Sequence, residues 1–150
     1  MNAHAQIAAP AEVITWLDST YKILLTTAET RGRAGMFESI GEPNTGPPRH
    51  IHHREDEIIY ICEGEALFWV EGRTFLRQAG AVVFVPRGKE HAFRVTGDGP
   101  ARFLATLTPG GFEGFFPAVA RNALKVPEDM PDICRIAGDF NCEFTGPPLA

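Results

Sequence analysis

Hydrophobic and polar positions in the middle of the chain alternate in short bursts rather than at helical spacing. Residues 57–62, 66–70, 73–76 and 81–85 are each brief and rich in β-branched or aromatic side chains, and Gly64, Gly72, Gly80 and Gly88 punctuate them at intervals of eight. Short strands with such regular turn signals predict an all-β sandwich or barrel. Glu63-Gly64 and Glu71-Gly72 suit tight hairpin turns, in which glycine supplies the positive φ. Pro86-Arg87-Gly88 makes a further turn, with proline fixing φ near its start. Residues 21–27, 36–40, 92–96 and 102–108 are additional strand candidates. That brings the count to about eight, the number in a double-sheet jelly roll. The stretch 42–48 ends in Pro47-Pro48, which cannot donate to a ladder, so it predicts a loop leading into His50 rather than a central strand.

After Pro109 the pattern changes. Residues 112–122 predict a short helix broken at Pro117, and 132–137 a second one ended by Gly138. The expected organisation is a β-barrel over 11–110 with a short helical tail, 111–150, packed on it in the same domain. Within the strand 57–62, Glu57, Ile59 and Ile61 share one face and Ile58, Tyr60 and Cys62 the other; most of 81–85 is apolar too. A strand hydrophobic on both faces must be covered on both. Terminal segments or a second copy of the chain would supply the cover, so a homodimer is expected.

Composition narrows the class. With 150 residues, 44% hydrophobic and 22% charged, the chain fits one globular domain. A net charge of -5 argues against nucleic acid or an anionic membrane as partner. No apolar run approaches the roughly 18 residues of a membrane span, and residues 1–10 lack the basic start and apolar core of a secretory signal. Cys62, Cys134 and Cys142 are odd in number and show no CxxC spacing. Cys62 is expected to be a buried small hydrophobe, and the protein to be cytoplasmic with reduced thiols.

The candidate chemistry is concentrated between residues 50 and 91, which hold four of the five histidines. His50 and His52 stand two apart, so on an extended strand both imidazoles face one side. His53 is the rival to His52, but with His50 it would form a pair on opposite faces; His53 and His4 read as surface or satisfied core residues. Glu57 heads the next strand, and His91 follows the Pro86-Arg87-Gly88 turn. Neutral imidazoles and a carboxylate suit borderline divalent metals. Glu55 and Asp56, with Arg54, are expected to form a solvated, charge-paired loop.

The spacing His50-x-His52-x4-Glu57-x6-Gly64 resembles the first conserved motif of the cupin superfamily, and Gly80-x5-Pro86-x-Gly88-x2-His91 resembles the second. Gly46 stands two residues closer to the first histidine than in that pattern, and Val95 replaces a frequent asparagine that is not a ligand. The run from Gly46 to Glu57, with Pro109-Gly110-Gly111-Phe112-Glu113, looks like single-domain bacterial cupins similar to quercetin 2,3-dioxygenase. The resemblance implies one divalent ion (iron, manganese, nickel, cobalt or zinc) on His50, His52, Glu57 and His91. It also implies a dioxygenase-type reaction on a small, partly hydrophobic or aromatic substrate, with Glu57 as the catalytic proton acceptor. Metal-assisted isomerase, cyclase or hydrolase chemistry and a non-catalytic binding role stand as alternatives.

Alternation places Ile59 and Ile61 beside Glu57, and Phe93 and Val95 beside His91, as expected substrate-pocket residues. Glu38 is the early candidate for a second acid or base. Phe112, Phe115 and Phe116 form either a lid hinged at Gly110-Gly111 or an anchor for the tail.

Overall fold

The computed structural model describes residues 11–150; residues 1–10, and with them the expectations for His4 and for a leader segment, fall outside the described residues. The chain begins with β1 (Glu12–Trp16), β2 (Ser19–Leu25), β3 (Gly35–Gly41) and β4 (Pro48–His52). It continues through β5 (Asp56–Glu63), β6 (Glu65–Val70), β7 (Arg73–Gln78), β8 (Val82–Val85), β9 (His91–Thr96) and β10 (Ala101–Thr108). A 3-10 turn over Phe112–Gly114 leads into α1 (Phe115–Arg121), α2 (Met130–Asp139) and β11 (Cys142–Pro148).

Two antiparallel sheets result. One has six strands in the order β1-β2-β3-β10-β5-β8, and the other five in the order β11-β4-β9-β6-β7. This is the predicted jelly-roll class, with short C-terminal helices. Period-two burial drives the arrangement: β10 alternates buried and half-buried along its whole length, and β3 and β5 bury every second residue. The inward rows form two apolar clusters. One gathers Ile59, Ile61, Phe68, Val83, Val95 and Phe103 between the sheets. The other joins Ile14, Trp16, Tyr21 and Phe37 to Phe112, Phe115, Phe116 and Ile133 from the tail. Each such side chain, fully buried, contributes about 1.5–3 kcal/mol. The predicted turn at Glu71-Gly72 forms with φ of 48° and 81°, the pair of positive values a type I′ hairpin needs.

Several expectations need correction. Strand β4 begins at Pro48, inside the stretch read as a loop, and lies between β11 and β9. Proline is tolerated as the first residue of a strand. Pro117 does not break a helix, because it sits in the first turn of α1, where its missing N–H has no intrahelical partner to lose. Gly138 lies inside α2 rather than ending it. The tail is also not purely helical: β11 returns to pair with β4, setting Cys142 against His52 and Phe144 against His50. Cys62, on the outward row of β5, is only half-buried, and Cys142 is the buried thiol.

Candidate metal centre and its pocket

Three short segments from both sheets meet at one end of the barrel. Strand β4 carries His50 and His52 on its inward row, with Ile51 turned away and half-buried. Strand β9 opens with His91, directly opposite His50 in register. Glu57, second residue of β5, approaches from the other sheet. The Gly88 N–H donates to the His52 carbonyl at 2.8 Å, so the Pro-x-Gly turn before β9 is fastened to the strand that bears the first two histidines. The four side chains are all buried, and one ligand atom from each lies within 4.8 Å of all the others.

Hydrogen bonds orient the rings. His50 Nδ1 donates to the Pro48 carbonyl at 2.7 Å and His91 Nδ1 to the Lys89 carbonyl at 2.9 Å. A carbonyl can only accept, so each Nδ1 holds the proton and each Nε2 is left to face its neighbours, the usual orientation of metal-binding imidazoles. His91 Nε2 contacts Glu57 Oε2 at 2.9 Å, and His52 Nε2 stands 3.4 Å from the same oxygen. Both nitrogens of His52 are buried without a hydrogen-bond partner.

Burial, helped by the nearby His91 and His52, pushes His50 well below the usual imidazole range and keeps it neutral. Burial alone would raise Glu57, but the His52 and His91 rings beside Oε2, the latter hydrogen-bonded to it, outweigh it and hold the carboxyl well below its ordinary value. Burial would lower His91, yet the Glu57 contact raises it. An orphaned buried imidazole, a neutral one and an ionised carboxylate within one small cluster fit a divalent cation.

Beside the cluster is a narrow cavity of about 50 Å³, enough for a few waters. His50, Glu57 and His91 form one part of its wall; aromatic side chains, including Trp16, Tyr21, Phe37, Phe103 and Phe144, form most of the rest. Ile59 and Phe93, both predicted pocket residues, line it; Ile61 and Val95 are fully buried in the inter-sheet cluster and do not. Phe112, Phe115 and Phe116 are wall residues held in place. Tyr21 stacks on Phe116 at 4.0 Å between centroids, Phe112 meets the His52 ring at 4.4 Å, and the Gly110 N–H bonds the Gly32 carbonyl at 3.0 Å. These contacts favour the anchor over the hinged lid.

Glu38 points away from the cavity and pairs with Arg102 at 3.2 Å, so it is not the second acid. The loop before β5 also differs from expectation. Asp56 pairs with Arg87 through its carboxylate at 3.1 and 3.2 Å rather than with Arg54. Glu55 is 2% exposed, and burial with the neighbouring Glu113 raises its carboxyl to about 7. His53 is on the surface, its Nε2 2.8 Å from Glu143. Sequence reasoning missed Trp16, Tyr21, Phe37, Ser39, Phe103 and Phe144 as wall residues. Period-two alternation from Gly35 and from Ala101 carries the signal for Phe37, Ser39 and Phe103; nothing local marks Phe144.

The profile of the family described as a cupin domain matches residues 38–107. The oxalate-binding protein of Thermotoga maritima is 32% identical over 85 residues, 56% of this chain and 70% of that protein. The structure of a predicted oxalate decarboxylase from Thermotoga maritima aligns with a TM-score of 0.61 and 26% identity, covering 67% of this chain and 92% of that one. The polyketide cyclase RemF from Streptomyces resistomycificus aligns with a TM-score of 0.56 and 26% identity over 72% and 80% of the two chains. Other relatives are longer: the chain spans 37% of the Escherichia coli regulator YdiP and 54% of the Streptomyces cyaneus polyketide synthase CurC.

Proposed function

The chain belongs to the cupin superfamily, and on that premise we propose that it is a metal-dependent enzyme of dioxygenase type acting on a small, flat, partly aromatic substrate. The observation that supports this most is the junction of a buried cluster of three histidines and one glutamate with a narrow, aromatic-walled cavity. His50, His52, Glu57 and His91 would hold one divalent ion, iron, manganese, nickel, cobalt or zinc. Such an ion supplies Lewis-acid polarisation of a substrate oxygen, or redox chemistry toward dioxygen.

The protein's own groups do the rest. The aromatic walls take a planar substrate by its faces and keep water from the reacting centre. Glu57 Oε2, ionised because of His52 and His91, accepts the proton of a substrate hydroxyl presented from the cavity. His91 Nε2, 2.9 Å from the same oxygen, would face the ion beside it.

A second reading, metal-assisted cyclisation or a related isomerisation or hydrolysis without redox change, is favoured by the likeness to RemF, a polyketide cyclase. Elemental analysis of untagged protein comes first, followed by oxygen uptake with phenolic and diketone substrates. Oxygen consumption supports the dioxygenase. Turnover without it supports the second reading, and an intact metal with no turnover leaves a binding module.

The proposed setting is the cytoplasm. No helix among the described residues is long and apolar enough to cross a membrane. A homodimer is the proposed assembly. On the outer face of the six-stranded sheet Ile58 pairs with Phe84 and Tyr60 with Val82, and all four are exposed.

A further inference from the structure

The cavity beside the metal ligands is smaller than the aromatic substrate proposed above. At about 50 Å³ it admits a few waters, whereas a single benzene ring takes a cavity of about 150 Å³. On that reading, part of the wall gives way before a ring can lie beside His50.

Most of the wall is held on both sides. Its residues from β2, β3, β4, β5, β9 and β10 stand on strands with a ladder along each edge. Phe112, Phe115 and Phe116 are buried in the core of the tail, and the loop bearing Pro47 is bonded to β9 through Asn44, Thr45 and Val95. Two wall residues come from strands at sheet edges, Trp16 of β1 and Phe144 of β11. Strand β1 pairs with β2 without interruption over its five residues, and Trp16 is buried. Strand β11 is the weaker of the two. Its register with β4 shifts on both sides of Gly146, Pro147 and Pro148 have no N–H to give a ladder, and Phe144 is only half-buried.

The way β11 is fastened separates an anchor from a movable part. Cys142 is 2% exposed, and the Asn141 carbonyl accepts the His53 N–H at 2.9 Å. Beyond that point two exterior side-chain contacts flank Phe144. Glu143 Oε2 lies 2.8 Å from His53 Nε2, and the Thr145 hydroxyl donates to Glu90 Oε1 at 2.7 Å. All four of these residues' contacts are exposed, so they break and re-form against water at small cost.

We propose that residues 143–148 form a strap that swings off β4 about the Cys142 anchor, takes the Phe144 ring out of the wall and admits an aromatic ring of the substrate beside His50. This rests on the aromatic-substrate reading above and adds how the pocket admits such a ligand. The space vacated matches the ring that enters, because the Phe144 side chain itself ends in a benzene ring. The entering ring meets the same His50 and Phe115 rings that lie 6.3 and 6.0 Å from Phe144 in the closed form.

The test uses the full chain loaded with zinc and catechol as the probe, with binding followed by stopped-flow tryptophan fluorescence, since Trp16 lies in the wall. Ile51 and Glu143 are opposed across the β4–β11 ladder, so Ile51→Cys/Glu143→Cys can be closed by oxidation and reopened by a thiol reductant. The oxidised form is expected to bind catechol about a hundredfold more slowly than its own reduced form at equal zinc content. Thr145→Val should speed binding about three- to tenfold, the worth of one hydrogen bond. Phe144→Ala should bind fast whether or not Thr145→Val is added. Equal rates for the oxidised and reduced double variant would overturn the strap and leave the aromatic reading standing. Failure of catechol to bind any form, Phe144→Ala included, would overturn the aromatic reading and the strap with it.

Discussion

His91 Nε2 and Glu57 Oε2 lie 2.9 Å apart, and through them the first residue of β9 in one sheet grips β5 in the other. Because His91 Nδ1 also donates to the Lys89 carbonyl, both ring nitrogens face acceptors, and the Glu57 contact raises the imidazole against the effect of burial. The same two groups would turn their charge and lone pair to a bound ion.

Removing one partner should therefore expose the cost of the other. In metal-free protein, His91→Ala leaves Glu57 buried without its nearest partner and is expected to lower unfolding stability by about 3–5 kcal/mol. Adding Glu57→Gln should recover part of that loss. Urea unfolding measures both, and an unchanged midpoint for His91→Ala would refute the pairing. His50→Ala/His91→Ala should retain no ion on elemental analysis.

Gly46 backs onto the Phe93 carbonyl so closely that a β-carbon would overlap it. The same loop is bonded to β9 by Asn44 N–H to the Val95 carbonyl and Val95 N–H to the Thr45 carbonyl, each at 2.9 Å. Gly46→Ala is expected to cost about 1–3 kcal/mol through forced backbone displacement. It should also weaken metal retention, since β9 begins at His91. A variant as stable as the parent would show that the loop gives way freely.

Glu113 is 2% exposed, with Oε1 accepting from the Gly111 N–H at 2.8 Å. Burial raises its carboxyl, an effect the backbone donors reduce without cancelling. The folded state thus holds this proton more tightly than the unfolded chain. Its contribution to stability is fully present below the ordinary carboxyl range and is lost as pH rises through the raised folded value. Glu113→Gln should flatten that part of a plot of melting temperature against pH; a parallel plot for parent and variant would contradict the assignment.

The exposed Ile58, Tyr60, Val82 and Phe84 face should hold two copies together. Sedimentation at micromolar concentration is expected to give a dimer for the parent and a monomer for Phe84→Glu, in which a charge enters an apolar contact. A parent that runs as a clean monomer would end the homodimer proposal.

The cluster of four candidate ligands was legible because ligand chemistry, strand alternation and turn spacing agree: His50 and His52 share a face by period two, and Gly88 has to be where its N–H can reach the His52 carbonyl. Strands β5 to β10 were legible for the same reason, each being a clean burst between turn residues. Strand β4 was not, since its opening proline mimics a loop. Strand β11 was not, since it contains Gly146, Pro147 and Pro148 and exists by pairing with a strand far back in the chain. The burial of Glu55 was hidden similarly. Arg54-Glu55-Asp56 reads as solvated until the tail sets Gly111 and Glu113 against it. Alternation told which face Ile61 and Val95 occupy, but not how far along the barrel the cavity reaches.

The pairing of β11 with β4 imposes an order on assembly during synthesis. All four ligands precede the residues that flank His50 and His52 on the sheet, so a nascent chain can gather its histidines and carboxylate while Cys142 and Phe144 are still inside the ribosome. Only when the final strand docks does Phe144 close over His50, at 6.3 Å between ring centres. The donor cluster and the pocket wall are thus separable along the chain, the first contained within residues 50–91 and the second completed only by Phe144.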